Sequence, residues 1–184
     1  MAIKTFTTGE VLTAADTNTY LANSGLVFVK SQSIGSGVTS QSVADAFSAT
    51  YDNYRILINI ADQSGTSQVT LSLNGITTSV YYSGGSFGSW GASAQSGFGP
   101  AAFTAFYLTA NNAASSPSAI QMDLFNPFNA IRKYAYASTQ AGNGHTAWNH
   151  LCNSTASATG FSVGVGGGQT ISGGTITVYG YRKA

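Results

Sequence analysis

Residues able to do acid–base, nucleophilic or metal chemistry are few and widely spaced. The 184-residue chain holds two histidines, one cysteine, six carboxylates and seven Lys or Arg. His145 and His150 are offset by an odd number of positions, which puts them on opposite faces of a strand, so joint metal ligation would need a turn between them. A metal site normally needs three or four protein ligands, and the sequence leads us to expect neither a metal nor a cofactor. Cys152 stands alone and cannot form an intramolecular disulfide. It could act as a nucleophile beside a histidine, but a small buried hydrophobe is the plainer reading. A Ser-His-Asp arrangement is always possible in a chain this rich in serine, but without a nucleophile elbow in its strand-to-helix context it carries no signal. Glycoside hydrolysis needs two carboxyl groups roughly 5–9 Å apart. Here the acids are Glu10, near the N-terminus, and five scattered aspartates, so no enzyme is expected and a hydrolase ranks last.

Aromatic chemistry is the stronger signal. Tyr81, Tyr82, Phe87, Trp90, Phe98, Tyr134, Tyr136 and Trp148 are interleaved with Gly, Ser and Asn. Flat rings beside amides and hydroxyls suit sugar faces, through apolar stacking plus hydrogen bonds and with little need for charge. The candidate glycan contacts are Phe87, Trp90, Phe98 and Trp148. Tyr134 and Tyr136, on one face of a strand, are read instead as core or subunit seam.

These rings must be positioned by strands. Tyr54, Ile56, Ile58 and Ile60 alternate with polar neighbours, as do Val69, Leu71 and Leu73, and Ile120, Met122 and Leu124. Such period-two patterning means sheets with one buried face. Further strands are expected at 26–30, 38–43, 102–109, 131–138, 146–152, 161–165 and 174–182. Asn74-Gly75 is a hairpin signal leading into a strand over 76–82. Two Gly-rich segments, 83–100 and 164–174, read as loops between strands. About ten strands with short polar turns predict an all-β fold, a two-sheet antiparallel sandwich of jelly-roll type. Residues 26–184 form that domain, and residues 1–25 form an N-terminal docking arm. Thr13 with Asp16 resembles a capping box opening a short helix over 14–22. A helix this short is marginal alone and needs a docking partner.

Charge is the other constraint. Charged residues make up 7% of the chain, against roughly 25% in ordinary soluble proteins. Residues 63–122 and 134–181 contain no Asp, Glu, Lys or Arg. With a net charge of +1, the chain has no footprint for a nucleic-acid backbone. It also has no apolar run near 18 residues, so no membrane insertion is expected, and no secretory signal, which implies synthesis in a cytoplasm. A neutral surface rich in Ser, Thr, Asn, Gln and Gly suits packing against copies of the chain or a larger assembly.

The stretch Phe6 to Val29 resembles the opening of tailed-bacteriophage minor structural and tail-fibre-like proteins. Its core is Gly9, Glu10, Val11, Leu12, Thr13, Ala14, Asp16 and Asn18. Ala46–Ile58 and the closing Gly173–Ala184 are similar to strands of the same kind of protein, while 63–130 carries no match. The resemblance implies a virion structural protein, a tail-fibre or tail-knob subunit or alternatively a capsid decoration protein. It also implies a homo-oligomer with trimers favoured, and docking on a tail adaptor, nozzle or major capsid protein. The implied docking residues are Phe6, Glu10, Val11, Leu12, Asp16, Asn18, Tyr20 and Leu21. Host-surface polysaccharide is the outward partner such a protein would meet. A free carbohydrate-binding module is the remaining alternative.

Overall fold

The computed structural model describes residues 7–11, 13–16, 25–90, 95–98, 102–110, 114–142 and 144–183. After one helical turn, α1 (Ala14–Asp16), the described elements are strands. They are β1 (Leu26–Ser33), β2 (Ser40–Val43), β3 (Asn53–Gln63), β4 (Val69–Leu73), β5 (Tyr81–Ser89), β6 (Gln95–Phe98) and β7 (Ala102–Phe103). Then follow β8 (Phe106–Tyr107), β9 (Ser118–Phe125), β10 (Lys133–Ala141), β11 (Gly144–Cys152), β12 (Phe161–Val165) and β13 (Ile171–Tyr181).

The large sheet runs β1-β13-β3-β9-β10-β11-β5-β6, with β7 also on β5, and the small sheet runs β2-β12-β4-β8. All pairings are antiparallel. Setting aside β5–β7 and β10–β11 leaves two four-stranded sheets, β1-β13-β3-β9 and β2-β12-β4-β8. That is the jelly-roll arrangement expected from the sequence. The two remaining pieces extend the large sheet past β9.

Period-two alternation decides what lies between the sheets. Tyr54, Ile56, Ile58 and Ile60 from β3 face Val69, Leu71 and Leu73 from β4 and Phe161 and Val163 from β12, all buried. Full burial of each large aliphatic side chain contributes about 1.5–3 kcal/mol. Two tyrosines enter this core because their hydroxyls are bonded. Tyr54 Oη accepts from the Ser48 N–H at 2.9 Å and donates to the Ser48 carbonyl at 3.1 Å. Tyr81 Oη accepts from the Leu73 N–H at 3.0 Å and donates to the Ile76 carbonyl at 2.9 Å.

Three sequence expectations are corrected. The Gly-rich 83–100 segment is not a loop throughout, since β5 runs through residue 89 and β6 follows at 95–98. Its glycines serve close strand approach: a Cβ on Gly85 would strike the Ala147 carbonyl oxygen of β11. Asn74-Gly75 makes a turn, with Gly75 at φ +81°, but not a hairpin. β4 pairs with β12 and β8, whereas β5 pairs with β11, so the turn carries the chain from the small sheet to the large one. The strand expected at 102–109 is split into β7 and β8. Of the helix expected over 14–22, α1 is the described part and residues 17–22 lie outside the described residues.

Candidate functional site

The outward face of the large sheet carries the exposed rings. Along β10, Lys133, Ala135, Ala137 and Thr139 point inward and are buried, while Tyr134, Tyr136, Ser138 and Gln140 point outward. Tyr134 and Tyr136 are 51% and 54% exposed, so of the two readings the sequence offered, core or subunit seam, the core is excluded. The physical reason is volume. The inward Ala137 lies opposite Trp148 of β11, and a small residue there makes room for the indole.

Trp148, a candidate glycan contact, is accordingly buried at 4% exposure and cannot offer its ring to a ligand. Phe87 is half-buried and packs against the core. The side chain of Phe98 lies outside the described residues. Among the three whose side chains are described, Trp90 is the one on the surface, 57% exposed. It is anchored from below: its Nε1–H donates to the Ala141 carbonyl at 3.3 Å, and its ring lies 5.3 Å from the His145 ring at 45°. His145 in turn lies across Gly88, where a Cβ would come within 2.6 Å of the imidazole.

Beside Trp90 opens a shallow cleft of about 390 Å³, bordered by Asn59, Pro117, Ala119, Gln140 and Gly142. A second depression, lined by Leu57, Asn59, Ala119, Gln121, Ser138 and Gln140, continues from it. A larger hollow of about 750 Å³ lies on the small sheet, with a floor that includes Ser40, Thr70, Ser72 and Ser162. Its two rings, Phe103 and Tyr107, pack against each other with centroids 4.3 Å apart and planes tilted by 32°.

At the far end of the large-sheet face lies an ionic knot. Asp123 accepts from Arg55 Nε at 2.9 Å and Nη2 at 2.8 Å, and from the Tyr181 hydroxyl at 2.6 Å. Burial pushes the Asp123 carboxyl up, but the bonds from Arg55 and Tyr181 outweigh it and hold the group below the usual carboxylate range. Burial, with the bond to Asp123, raises the Tyr181 phenol to about 12. Asp123 is one of the five scattered aspartates of the sequence. Here it is clasped as a fixed anion.

The two histidines lie on opposite faces of β11, as their offset requires: His145 outside and exposed, His150 inside and buried. His150 Nδ1 lies 2.9 Å from Ser83 Oγ, and burial depresses its pKa to about 3. Among the described residues, no group of three His, Cys, Asp or Glu could hold a metal ion, and no helix is long and apolar enough to cross a membrane.

Of the docking residues, Glu10, Val11 and Asp16 are described. Phe6, Leu12, Asn18, Tyr20 and Leu21 lie outside the described residues. Thr13 and Asp16 form the expected box: the Asp16 N–H donates to Thr13 Oγ1 at 3.1 Å, and the Thr13 N–H donates to Asp16 Oδ2 at 3.2 Å. Thr7 and Glu10 make a similar turn, with the Thr7 N–H on Glu10 Oε2 at 3.2 Å. Val11 between them is 80% exposed.

The site that sequence reasoning missed is the buried Lys133, whose ammonium donates to the carbonyls of Asn129, Ile131 and Ser154. Comparison with known proteins adds no constraint: no protein-family model matches the chain, and no curated protein matches it significantly.

Proposed function

We propose that this chain is a structural subunit of a tailed-bacteriophage virion, a tail-fibre or tail-knob protein that docks on the particle through residues 1–25. The observation that carries the reading is the state of the arm. Its described residues form two self-capped turns, and the apolar Val11 between them is 80% exposed. Such a segment is preformed for a partner that would cover it, and its sequence resembles the opening of virion structural proteins. The jelly-roll body supports the same reading. The edge strands of its small sheet, β2 (Ser40–Val43) and β8 (Phe106–Tyr107), carry no charge to ward off further pairing. A homo-oligomer, with a trimer favoured, would protect them.

The test is incorporation. Particles assembled with the chain lacking residues 1–25 should contain none of it, whereas the full chain joins at normal copy number. Normal incorporation of the truncated chain would refute the docking role. Electron microscopy of particles carrying the full chain reads whether it sits on the tail, as proposed, or decorates the head.

A further inference from the structure

The outward face of the large sheet is more than a set of exposed rings. Strand register stacks its side chains into three consecutive rows, Asn59–Ala119–Gln140, Leu57–Gln121–Ser138 and Arg55–Asp123–Tyr136. β11 continues them with His145, Ala147 and Asn149. The cleft beside Trp90 and the depression over Leu57, Gln121 and Ser138 share Asn59, Ala119 and Gln140, so they form one trough along β3, β9 and β10. Trp90 closes one end above the β10–β11 turn, and Tyr136 and Tyr134 stand at the other. From Gln140 to Tyr134 the strand rise alone spans about 20 Å.

We propose that this trough binds a neutral polysaccharide chain, with Trp90 and Tyr136 stacking on sugar rings at its two ends. The inference rests on the virion reading only in naming where such a glycan would be met. Its chemistry is carried by three features of the trough.

The first is the floor. Ala119 and Ser138 are small and exposed, so the centre is recessed, whereas Asn59, Gln121 and Gln140 present exposed amides. Amides donate and accept at once, which matches hydroxyls that do the same. The second is the rings. Trp90, Tyr134 and Tyr136 each expose more than half their surface, and Trp90 is braced by the Ala141 carbonyl and His145 beneath it. A braced ring loses little conformational entropy when a sugar face covers it. The third is charge. Within the three rows Arg55 and Asp123 are the formal charges, and they neutralise each other through a bidentate pair. An anionic polymer would find no unpaired cation along these rows. A protein partner would want a contiguous apolar centre, and here a single half-buried Leu57 lies among alanine, serine and amides.

The probes are a β-glucan, an α-mannan and a galactan, with alginate as the anionic comparison, each cast in native gels through which the full chain migrates. At least one neutral polymer should retard the chain, and alginate should not. Trp90→Ala and Tyr136→Ala should each weaken that retardation roughly tenfold with melting temperature unchanged, and Thr104→Ala on the small-sheet hollow should leave it intact. Trp148 is buried, so a ligand-dependent shift in tryptophan emission should vanish in Trp90→Phe. The site is refuted if no neutral polymer retards the wild-type chain, if both ring variants are retarded equally with it, or if alginate is preferred. It is likewise refuted if the face instead drives concentration-dependent self-association that Tyr136→Ala abolishes. A chain that joins the particle but binds no glycan removes this site and leaves the virion role standing. One that binds glycan but never joins a particle does the reverse.

Discussion

Acidification should destabilise this protein through His150 before the carboxyls of Asp52 and Asp123 contribute. The imidazole sits on the inner face of β11, 4% exposed, with its ring 5.0 Å from Phe106 and 6.1 Å from Trp148. Nδ1 meets Ser83 Oγ at 2.9 Å, and the same oxygen accepts from the Tyr107 N–H at 3.1 Å. Among the described residues Nε2 has no hydrogen-bond partner, so the proton that Nε2 carries in the imidazolium would be buried without an acceptor there. The ionisable groups on the inward faces nearby give no relief. Burial raises Tyr81 and Cys152, and Lys133 is a cation held by three carbonyls. Burial therefore lowers the His150 pKa from 6.5 to about 3. A group with a depressed folded pKa binds fewer protons in the native state, so its stabilisation is complete above the unfolded pKa and drains away as pH falls towards the folded one. Between pH 7 and pH 4.5 the loss comes to about 2–3 kcal/mol, from the ratio of the two proton-binding polynomials at 1.36 kcal/mol per pK unit. For a chain of this length that lowers the melting temperature by roughly 5–10 °C. The carboxyls of Asp52 and Asp123 lie below their ordinary 3.8 and add their own losses only at lower pH. Urea unfolding of the wild-type chain and of His150→Gln at pH 7, 5.5 and 4.5 separates the terms, because the glutamine can still bond Ser83 but cannot titrate. The variant should be less stable at pH 7 yet nearly flat with pH. Equal losses in the two proteins would refute the assignment.

Two further substitutions test how the core admits polar groups. Lys133→Met removes the ammonium shared by the Asn129, Ile131 and Ser154 carbonyls and should destabilise the chain by about 2–4 kcal/mol, read as a lower urea midpoint at unchanged slope. Tyr81→Phe strips the hydroxyl that bridges the Leu73 N–H and the Ile76 carbonyl and should cost about 1–3 kcal/mol. A Tyr81→Phe chain as stable as wild type would mean that water reaches both groups.

The strands that could be read from sequence are those whose pattern is local. Ile56, Ile58 and Ile60 announce a buried face without reference to any partner, as do Val69 and Leu71, and β9 (Ser118–Phe125) and β12 (Phe161–Val165) fall where alternation placed them. What alternation cannot do is say which face is inside. Tyr134 and Tyr136 share a face whichever way β10 turns, and the decision came from Trp148 on the neighbouring strand, which needs Ala137 opposite it. The glycines of β5 misled for a related reason. Gly85 signals flexibility when read alone, yet its role is to let β5 lie against the Ala147 carbonyl of β11, a residue 62 positions away in sequence. Lys133 is the same problem in polar form. Its acceptors come from the preceding turn and from Ser154 beyond β11, and nothing in the sequence near Lys133 shows that they converge.

The position of the proposed trough follows from how the jelly roll was enlarged. A bare eight-stranded jelly roll would end this sheet at β9, leaving Ala119, Gln121 and Asp123 on an edge. The β10–β11 hairpin continues the sheet and supplies Tyr136, Ser138 and Gln140. β5, reached through the Asn74-Gly75 turn, then pairs with β11 and carries the chain to Trp90. The trough thus straddles the seam between the core fold and its additions. Its jelly-roll side provides Asn59, Gln121 and the ionic pair, and the added strands provide Ser138, Gln140 and both aromatic ends. Sites are commonly grafted onto folds in this way, and the arrangement separates two demands. The hydrophobic sandwich holds β3 and β9 in register, so the rings and amides can vary on the added strands without disturbing the core that positions them.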